Sequence, residues 1–226
     1  GLWTIKLQNI DSKLRGTVKA RIVVNAGGPW VDHVLRESFG QNDAHHVRPV
    51  KGSHIVVRKL FDHDRAYFFQ NKDGRIIFAI PYERDFTLIG TTDLDYHDDP
   101  AAVAITPDEI AYLCAAANAW FVRQVSPKDV TWSYAGARAL YDDGAANAKD
   151  VTRDYHLELD PEPGPKLLFV FGGKITTARH LALEALERLG VGGMKFTTNS
   201  ALPGGNVSEG FNRRLAELGQ WIPAPL

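Results

Sequence analysis

The stretch FVFGGKITTAR, Phe169 to Arg179, constrains the fold more than any other part of this chain. An apolar strand runs directly into two glycines, a lysine and two threonines, and then into an amphipathic helical pattern. Strand, glycine turn and helix in that order is a building step of an α/β sheet. The turn leaves the unpaired N–H groups of a helix start, equivalent to roughly half a positive charge, beside the full charge of Lys174. It is suited to an anion. A P-loop is excluded, because GxxxxGK[ST] needs Gly where Leu168 stands and Ser or Thr where Ile175 stands. A glycine turn that only starts a helix is the plainer alternative, and the stretch alone is compatible with both.

The 226 residues, 44% of them apolar, are enough to bury a core in one or two domains. A formal net charge of -1 gives no bulk attraction to nucleic acid or anionic lipid, and no run approaches the roughly 18 apolar residues of a membrane span. The single cysteine, Cys114, excludes an internal disulfide and a cysteine metal cluster, which fits a reducing compartment. It lies on an apolar helical face and reads as packing. Asn206, Val207 and Ser208 form a glycosylation sequon with no other sign of secretion. Gly1 to Leu7 opens inside a strand pattern and GQWIPAPL stops without a closing element, so the expectation is a piece of a longer protein.

Near the start, TIKLQN, DSKLRG and TVKARIVVNAGGPW predict a strand, a turn and a second strand ending at a glycine pair. Pro29 to Phe39 follows as a helix with Trp30, Val34 and Leu35 on one face. From Val47 to Thr91 the runs VKGSHIVVRKLF, RAYFFQ, RIIFAIPYE and FTLIGTT alternate, with turns such as NKDG between them, and predict an antiparallel meander. Thr106, Pro107 and Glu109 form a capping box, with Ile105 and Ile110 placed as a staple, for a helix to about Phe121 whose buried face is Ile110, Leu113, Cys114, Ala117 and Phe121. Strands return in VTWSYAGARAL, TRDYHLELD and, after the turn PEPGP, LLFVF. A helix from about Thr176 to Leu189 is capped by Gly190, and a short helical pattern spans Glu209 to Leu218. Glycine turns at both ends of an antiparallel middle predict a sheet domain inserted into an α/β domain.

Three cations stand at strand ends: Arg138 in AGARALYDD, Arg153 in TRDYHLELD, and Lys174. Converging on one cleft, they suit a phosphorylated or carboxylated substrate, because guanidinium groups bind oxyanions in a bidentate manner. The alternative is a pair of surface salt bridges, Arg138 with Asp142 or Asp143 and Arg153 with Asp154 or Glu158. His54, beside a glycine in VKGSHIVV, has a pKa range suited to general-base work and is otherwise a satisfied core histidine. His45 and His46 have no metal-ligand spacing. Asp93, Asp95, His97, Asp98 and Asp99 imitate a calcium loop, but Asp98 stands where Gly is required and Ala104 where a bidentate Glu is required, so a solvated acidic turn is expected.

Together, NAGGPWVD, VKGSHIVV, FAIPYERDFTLIGTTD, ARALYDDG, TRDYHLELD and FGGKITTAR resemble the FAD-dependent, membrane-associated glycerol-3-phosphate dehydrogenases, in that family's order from about Trp3 to Leu189. The resemblance implies a glutathione-reductase-like, amine-oxidase-like FAD-binding fold of α+β and α/β character. Residues 1–46 and 167–190 would belong to the FAD-binding domain, 47–166 to an antiparallel substrate domain with a helix near 107–121, and 191–226 to a linker and the start of a helical region. It implies oxidation of sn-glycerol 3-phosphate to dihydroxyacetone phosphate, with electrons passing from FAD to a quinone or respiratory chain. The location implied is cytoplasmic and peripheral to the inner membrane. His54, Arg138, Arg153 and Lys174 are the implied substrate-facing set, with His54, Arg138 and Lys174 catalytic. Gly28, Pro29, Gly173, Lys174, Ile175 and Thr176 are implied to lie near FAD. His54 is the better candidate for proton acceptor, since an arginine would need an unusually strong perturbation to act as a base.

The sequence departs from the family pattern at Gly27, where Ala is usual, and at Ala139, where Pro usually follows the substrate arginine. Nowhere does it contain GxGxxG with an acidic residue about 20 positions on, the element that grips the ADP half of FAD. The chain by itself is therefore expected to bind FAD weakly or not at all and to be inactive. An amine or hydroxy-acid oxidase of the same fold and a non-catalytic anion-binding module are the rival readings.

Overall fold

The computed structural model describes residues 1–147, 150–160, 163–193, 196–208 and 210–219, without the side chains of 212 and 219. Residues 1–189 form one compact unit, and the segment from Gly190 onward forms a second. The second unit holds a 3-10 turn at Phe196–Thr198 and a helix at Phe211–Gly219. Glu209, Pro161 and Glu162 of the turn PEPGP, and most of the terminal GQWIPAPL lie outside the described residues.

In the first unit, β1 (Trp3–Gln8) and β2 (Arg15–Ala20) pair as an isolated antiparallel hairpin. The chain then bends at Arg21 into β3 (Ile22–Asn25), so the predicted single second strand is two strands in different sheets. The split has a physical reason: β2 is exposed along almost its whole length, whereas β3 joins the buried β11 (Lys166–Phe171) in parallel. After a 3-10 turn at Gly28–Trp30, helix α1 (Val31–Phe39) buries Val31, Asp32 and Leu35. Trp30 remains 43% exposed, as the helix starts two residues later than its sequence pattern suggests and Trp30 stands before it at the N-cap.

The large sheet is organised by β4 (Val47–Arg58). It pairs along its length with β9 (Val130–Tyr141), and on its other edge with β7 (Phe86–Gly90) and β8 (Leu94–Asp95), all antiparallel. Beyond β7 lie β6 (Ile76–Tyr82) and β5 (Tyr67–Gln70). Strands β5, β6 and β7 form the expected meander, while β4 returns beside β7 in Greek-key order. The other strand expected in this sheet, β10 (His156–Leu159), pairs with β11 in the three-stranded sheet instead. Strand β11 is the next strand in sequence, and the hydrogen bonds of β10 go to it.

Helix α2 (Pro107–Asn118) covers one face of the large sheet. Leu113, Cys114 and Ala117 pack with Ile55, Val57, Ile77 and Ile89, which confirms Cys114 as a packing residue. The capping box is present, Thr106 Oγ1 accepting from the Glu109 amide at 3.3 Å. Glu109 does more than cap. Its carboxylate is 4% exposed, and it accepts from Ser53 Oγ at 2.8 Å, Thr92 Oγ1 at 3.0 Å and the Thr106 amide at 2.9 Å, and pairs with Lys51 Nζ at 2.8 Å. Burial pushes this carboxyl up, but the bonds from Lys51, Thr106, Ser53 and Thr92 prevail and hold it at about 2.

The side chain of α3 (Ala178–Arg188) that packs inward is Ala185, with Gly190 in the left-handed conformation after its C-cap, as expected. The expected helix start at Thr176 lies within a preceding 3-10 turn, Ile175–Thr177.

Because the folded Glu109 carboxyl sits at about 2 against an ordinary 4.5, its contribution is fully present above pH 4.5 and lost as pH falls toward 2. That contribution is about 3 kcal/mol at neutral pH. Urea unfolding measured across this window is expected to show the loss. Glu109→Gln should flatten the slope and destabilise the protein by roughly 3–5 kcal/mol at pH 7, since Lys51 is left buried without its counter-charge.

Candidate functional site

The face of the large sheet opposite α2 carries the candidate site. Strand alternation puts Lys51, Ser53, Ile55 and Val57 toward the helix, and therefore Gly52, His54 and Val56 on the other side. His54 pairs in register with Gly90 on β7 and Tyr134 on β9. Its ring stacks on Tyr134 at 4.9 Å and lies over Gly90, where a Cβ would stand 2.1 Å from His54 Cδ2. Arg138 lies flat over Gly52 in the same way: a Cβ there would be 2.4 Å from one terminal nitrogen of the guanidinium. Two glycines thus make the room in which both side chains rest on the sheet.

Beyond Gly90 the chain alternates across the sheet. Thr91 Oγ1 accepts from Arg138 Nη2 at 3.2 Å, Thr92 turns inward to Glu109, and Asp93 returns to the site face. Asp93 Oδ1 accepts from Arg138 Nη1 at 2.8 Å and from Arg153 Nη2 at 3.3 Å. The two arginines are therefore brought together. The surface pairings considered for them do not occur, because Asp142 and Asp143 lie near Arg48 and Asp93 holds both guanidiniums. Asp93 is accordingly not part of a solvated acidic turn: its side chain is 9% exposed. Asp95 is likewise occupied, in a bidentate pair with Arg48. No cluster of metal-ligating side chains occurs among the described residues.

A cavity of about 520 Å³ opens at this end of the sheet, lined by Thr91, Asp93, Arg138, Arg153 and, from the β5–β6 hairpin, Gln70, Arg75 and Phe78. Arg75 also lines it, with its guanidinium engaged by the Tyr112 ring of α2 at 4.6 Å and by Asp73 at 3.5 Å. Burial lowers the pKa of Arg138, with Arg153 adding to the effect and Asp93 opposing it. Burial also lowers that of His54, followed by the positive charge of Arg138, so the imidazole is neutral at pH 7. Its Nδ1 is buried with no hydrogen-bond partner, leaving Nε2 as the nitrogen that can meet a ligand. His54 is thus not a satisfied core histidine.

Lys174 does not line that cavity. It is exposed at the carboxyl end of β11, as are Ile175 and Thr176. The turn before it, however, is pressed against both arginine-bearing segments. A Cβ on Gly172 would stand 3.0 Å from the carbonyl oxygen of Asp154, next to Arg153, and 3.6 Å from that of Ala139, next to Arg138. Only glycine fits there, and Gly172 and Gly173 have φ of +71° and +97°. The other glycine turn ends the neighbouring parallel strand, β3. Asn25, buried, accepts from the Gly27 amide and donates to the Val31 carbonyl at 3.0 Å, and Gly28 has φ +55° with open space where a Cβ would point. Asp32 ties this layer to β4 by accepting from the amides of His46 and Val47.

The sequence reading missed Asp93 as the partner of the arginines, along with Gly52, Gly90, Thr91 and Arg75. The signal available for the glycines was their interruption of β-rich runs at VKGSH and LIGTT.

The model of the FAD dependent oxidoreductase family, DAO, matches residues 2–179. The chain belongs to that family. It is 43% identical to the glycerol-3-phosphate dehydrogenase of Pseudomonas aeruginosa, covering 100% of this chain and 46% of that protein. It is 42% identical to the D-erythritol 1-phosphate dehydrogenase of Brucella abortus, covering 100% and 47%. The solved glycerol-3-phosphate dehydrogenase of Bacillus halodurans complexed with FAD superposes with a TM-score of 0.72 at 31% identity, over 96% of this chain and 42% of that one. The chain spans about half the length of the curated relatives it matches. FAD dependence comes with the family, and the two adjacent glycine turns at parallel strand ends and the partly uncovered Phe78, Trp132 and Tyr134 are compatible with such a group.

In this flavoprotein domain, Arg138→Met should raise the pKa of His54, because the removed positive charge disfavours the imidazolium. Two-dimensional NMR of the histidine side chains against pH is expected to show His54 titrating below 6.5 in the native protein and moving upward in the variant.

Proposed function

We propose that the full-length protein carrying this chain oxidises sn-glycerol 3-phosphate to dihydroxyacetone phosphate and passes the electrons to a quinone of the respiratory chain, as a peripheral membrane enzyme. The observation that carries this reading is the cavity where Arg138 and Arg153 meet through Asp93; His54 does not line it but lies near enough to feel the charges of Arg138 and Asp93. Arg153 and Arg138 bind the phosphate oxygens through N–H groups left over from Asp93 and Thr91. Lys174, at the turn packed against both arginine segments, adds positive charge to the same end of the molecule. His54 Nε2 takes the proton of the C2 hydroxyl as the C2–O bond becomes a carbonyl. FAD, when bound, accepts the hydride that leaves C2. Gly28, Pro29, Gly173, Lys174, Ile175 and Thr176 are the residues that would hold its ring end, the N–H groups of all but Pro29 supplying positive potential where negative charge develops.

Among the described residues no helix is long and apolar enough to cross a membrane. A second reading, a longer polyol phosphate such as erythritol 1-phosphate, is favoured by the continuation of the cavity past the arginines to Gln70 and Arg75.

Anaerobic mixing of the full-length flavoprotein with each substrate separates the readings. Bleaching of the flavin absorbance by glycerol 3-phosphate, and not by sarcosine or 2-hydroxy acids, is expected. The preference between glycerol 3-phosphate and erythritol 1-phosphate decides chain length. Bleaching by an amine or hydroxy acid alone, or phosphate binding without any redox change, would overturn the proposal. Arg153→Met should lower kcat/KM by about tenfold to a hundredfold through loss of charged hydrogen bonds to the phosphate.

A further inference from the structure

An acidic residue lies at the centre of a site that the reading above gives to an anion. Asp93 is nearly buried, and one of its oxygens accepts from both Arg138 and Arg153. Electrostatics alone would make it a competitor, since a carboxylate on the guanidiniums neutralises part of the charge that a phosphate seeks. The geometry opposes that view. Two guanidiniums brought to one cavity repel each other, and Arg138 is already partly desolvated over Gly52. Without a shared anion they would separate toward solvent.

We infer that Asp93 is a positioning residue that clamps Arg138 and Arg153 into one anion-binding unit before substrate arrives. The inference rests on the polyol-phosphate reading. Arg138 is fixed on three sides, by Asp93 at Nη1, by Thr91 at Nη2 and by the backbone of Gly52 beneath it. Its remaining N–H donors are thereby oriented rather than free to rotate. Arg153 comes from the loop after β9 and has no strand to hold it, so the bond to Asp93 is what fixes its side chain. Asp93 in turn is fixed by its chain neighbour, because Thr92 is anchored to the buried Glu109. The ordering cost of two long side chains is met on folding instead of on binding. Removal of this negative charge therefore weakens anion binding, against the direction set by net charge.

Asp93→Asn removes the charge, while Asp93→Glu keeps it and displaces the carboxylate by one methylene. Both variants of the full-length flavoprotein would be assayed with glycerol 3-phosphate, with inorganic phosphate as competitor. Both are expected to raise KM and the phosphate inhibition constant together by about tenfold to a hundredfold, with a smaller change in kcat. Unchanged or lowered constants in Asp93→Asn mean that Asp93 is a competitor and overturn the inference. Native constants in Asp93→Glu mean that charge rather than position matters, and do the same. If both variants lose their flavin, the residue serves the fold and the inference fails. Calorimetric titration with inorganic phosphate reads the clamp even if no polyol phosphate reduces the native flavin, so failure of the functional reading is seen separately.

Discussion

The buried carboxylate of Glu109 is the interaction on which the rest of this structure depends. A charge taken out of water is tolerated only when its lone pairs are occupied, and Glu109 occupies them with donors from three separate elements. Lys51 and Ser53 belong to β4, Thr92 to the crossing after β7, and Thr106 to the start of α2. The carboxylate thus sets the helix on the sheet and pins the back of the very residues whose neighbours form the site. Gly52 and His54 flank Ser53, and Thr91 and Asp93 flank Thr92. Because side chains alternate across a strand, anchoring one face fixes the other.

The front face follows a related rule. Cations gather there around an internal anion, and glycines allow His54 and Arg138 to lie directly on backbone. The result is two arginines joined by one carboxylate, near a histidine kept neutral by burial and by Arg138. Membership of the FAD dependent oxidoreductase family is compatible with this arrangement, in which apolar rows of the sheet are partly uncovered and two glycine turns end neighbouring parallel strands. The GxGxxG element that grips the ADP half of FAD does not occur in this sequence.

Much of this was legible from residue patterns, and the exceptions share a cause. The capping box at Thr106 and Glu109 was readable because a cap is a local structure, formed within four residues. That Glu109 also serves β4 and Thr92 was not, since those contacts cross 56 and 17 positions. Arg138 and Arg153 were readable as cations but not at the strand ends expected, since Arg138 lies within β9 and Arg153 in the loop after it, and local reasoning matched them with the nearest carboxylates in sequence. The carboxylate they share lies 45 and 60 positions away. Strand β10 was readable as a strand, whereas its sheet was decided by which neighbour the following turn brought alongside.

The sequence by itself determined the element types, the glycine turns at the strand ends, the family resemblance and the cofactor that comes with it. The elements and turns arise from propensity, periodicity and spacing, which act over a few residues at a time, whereas the cofactor is what the resemblance implies. Only the tertiary structure decided that Asp93 joins two arginines, that Gly52 and Gly90 are floors beneath side chains, and that the turn before Lys174 abuts the segments carrying both arginines. Each of these is a contact between distant segments, and the energy that selects it comes from desolvating charges that no local pattern shows to be buried.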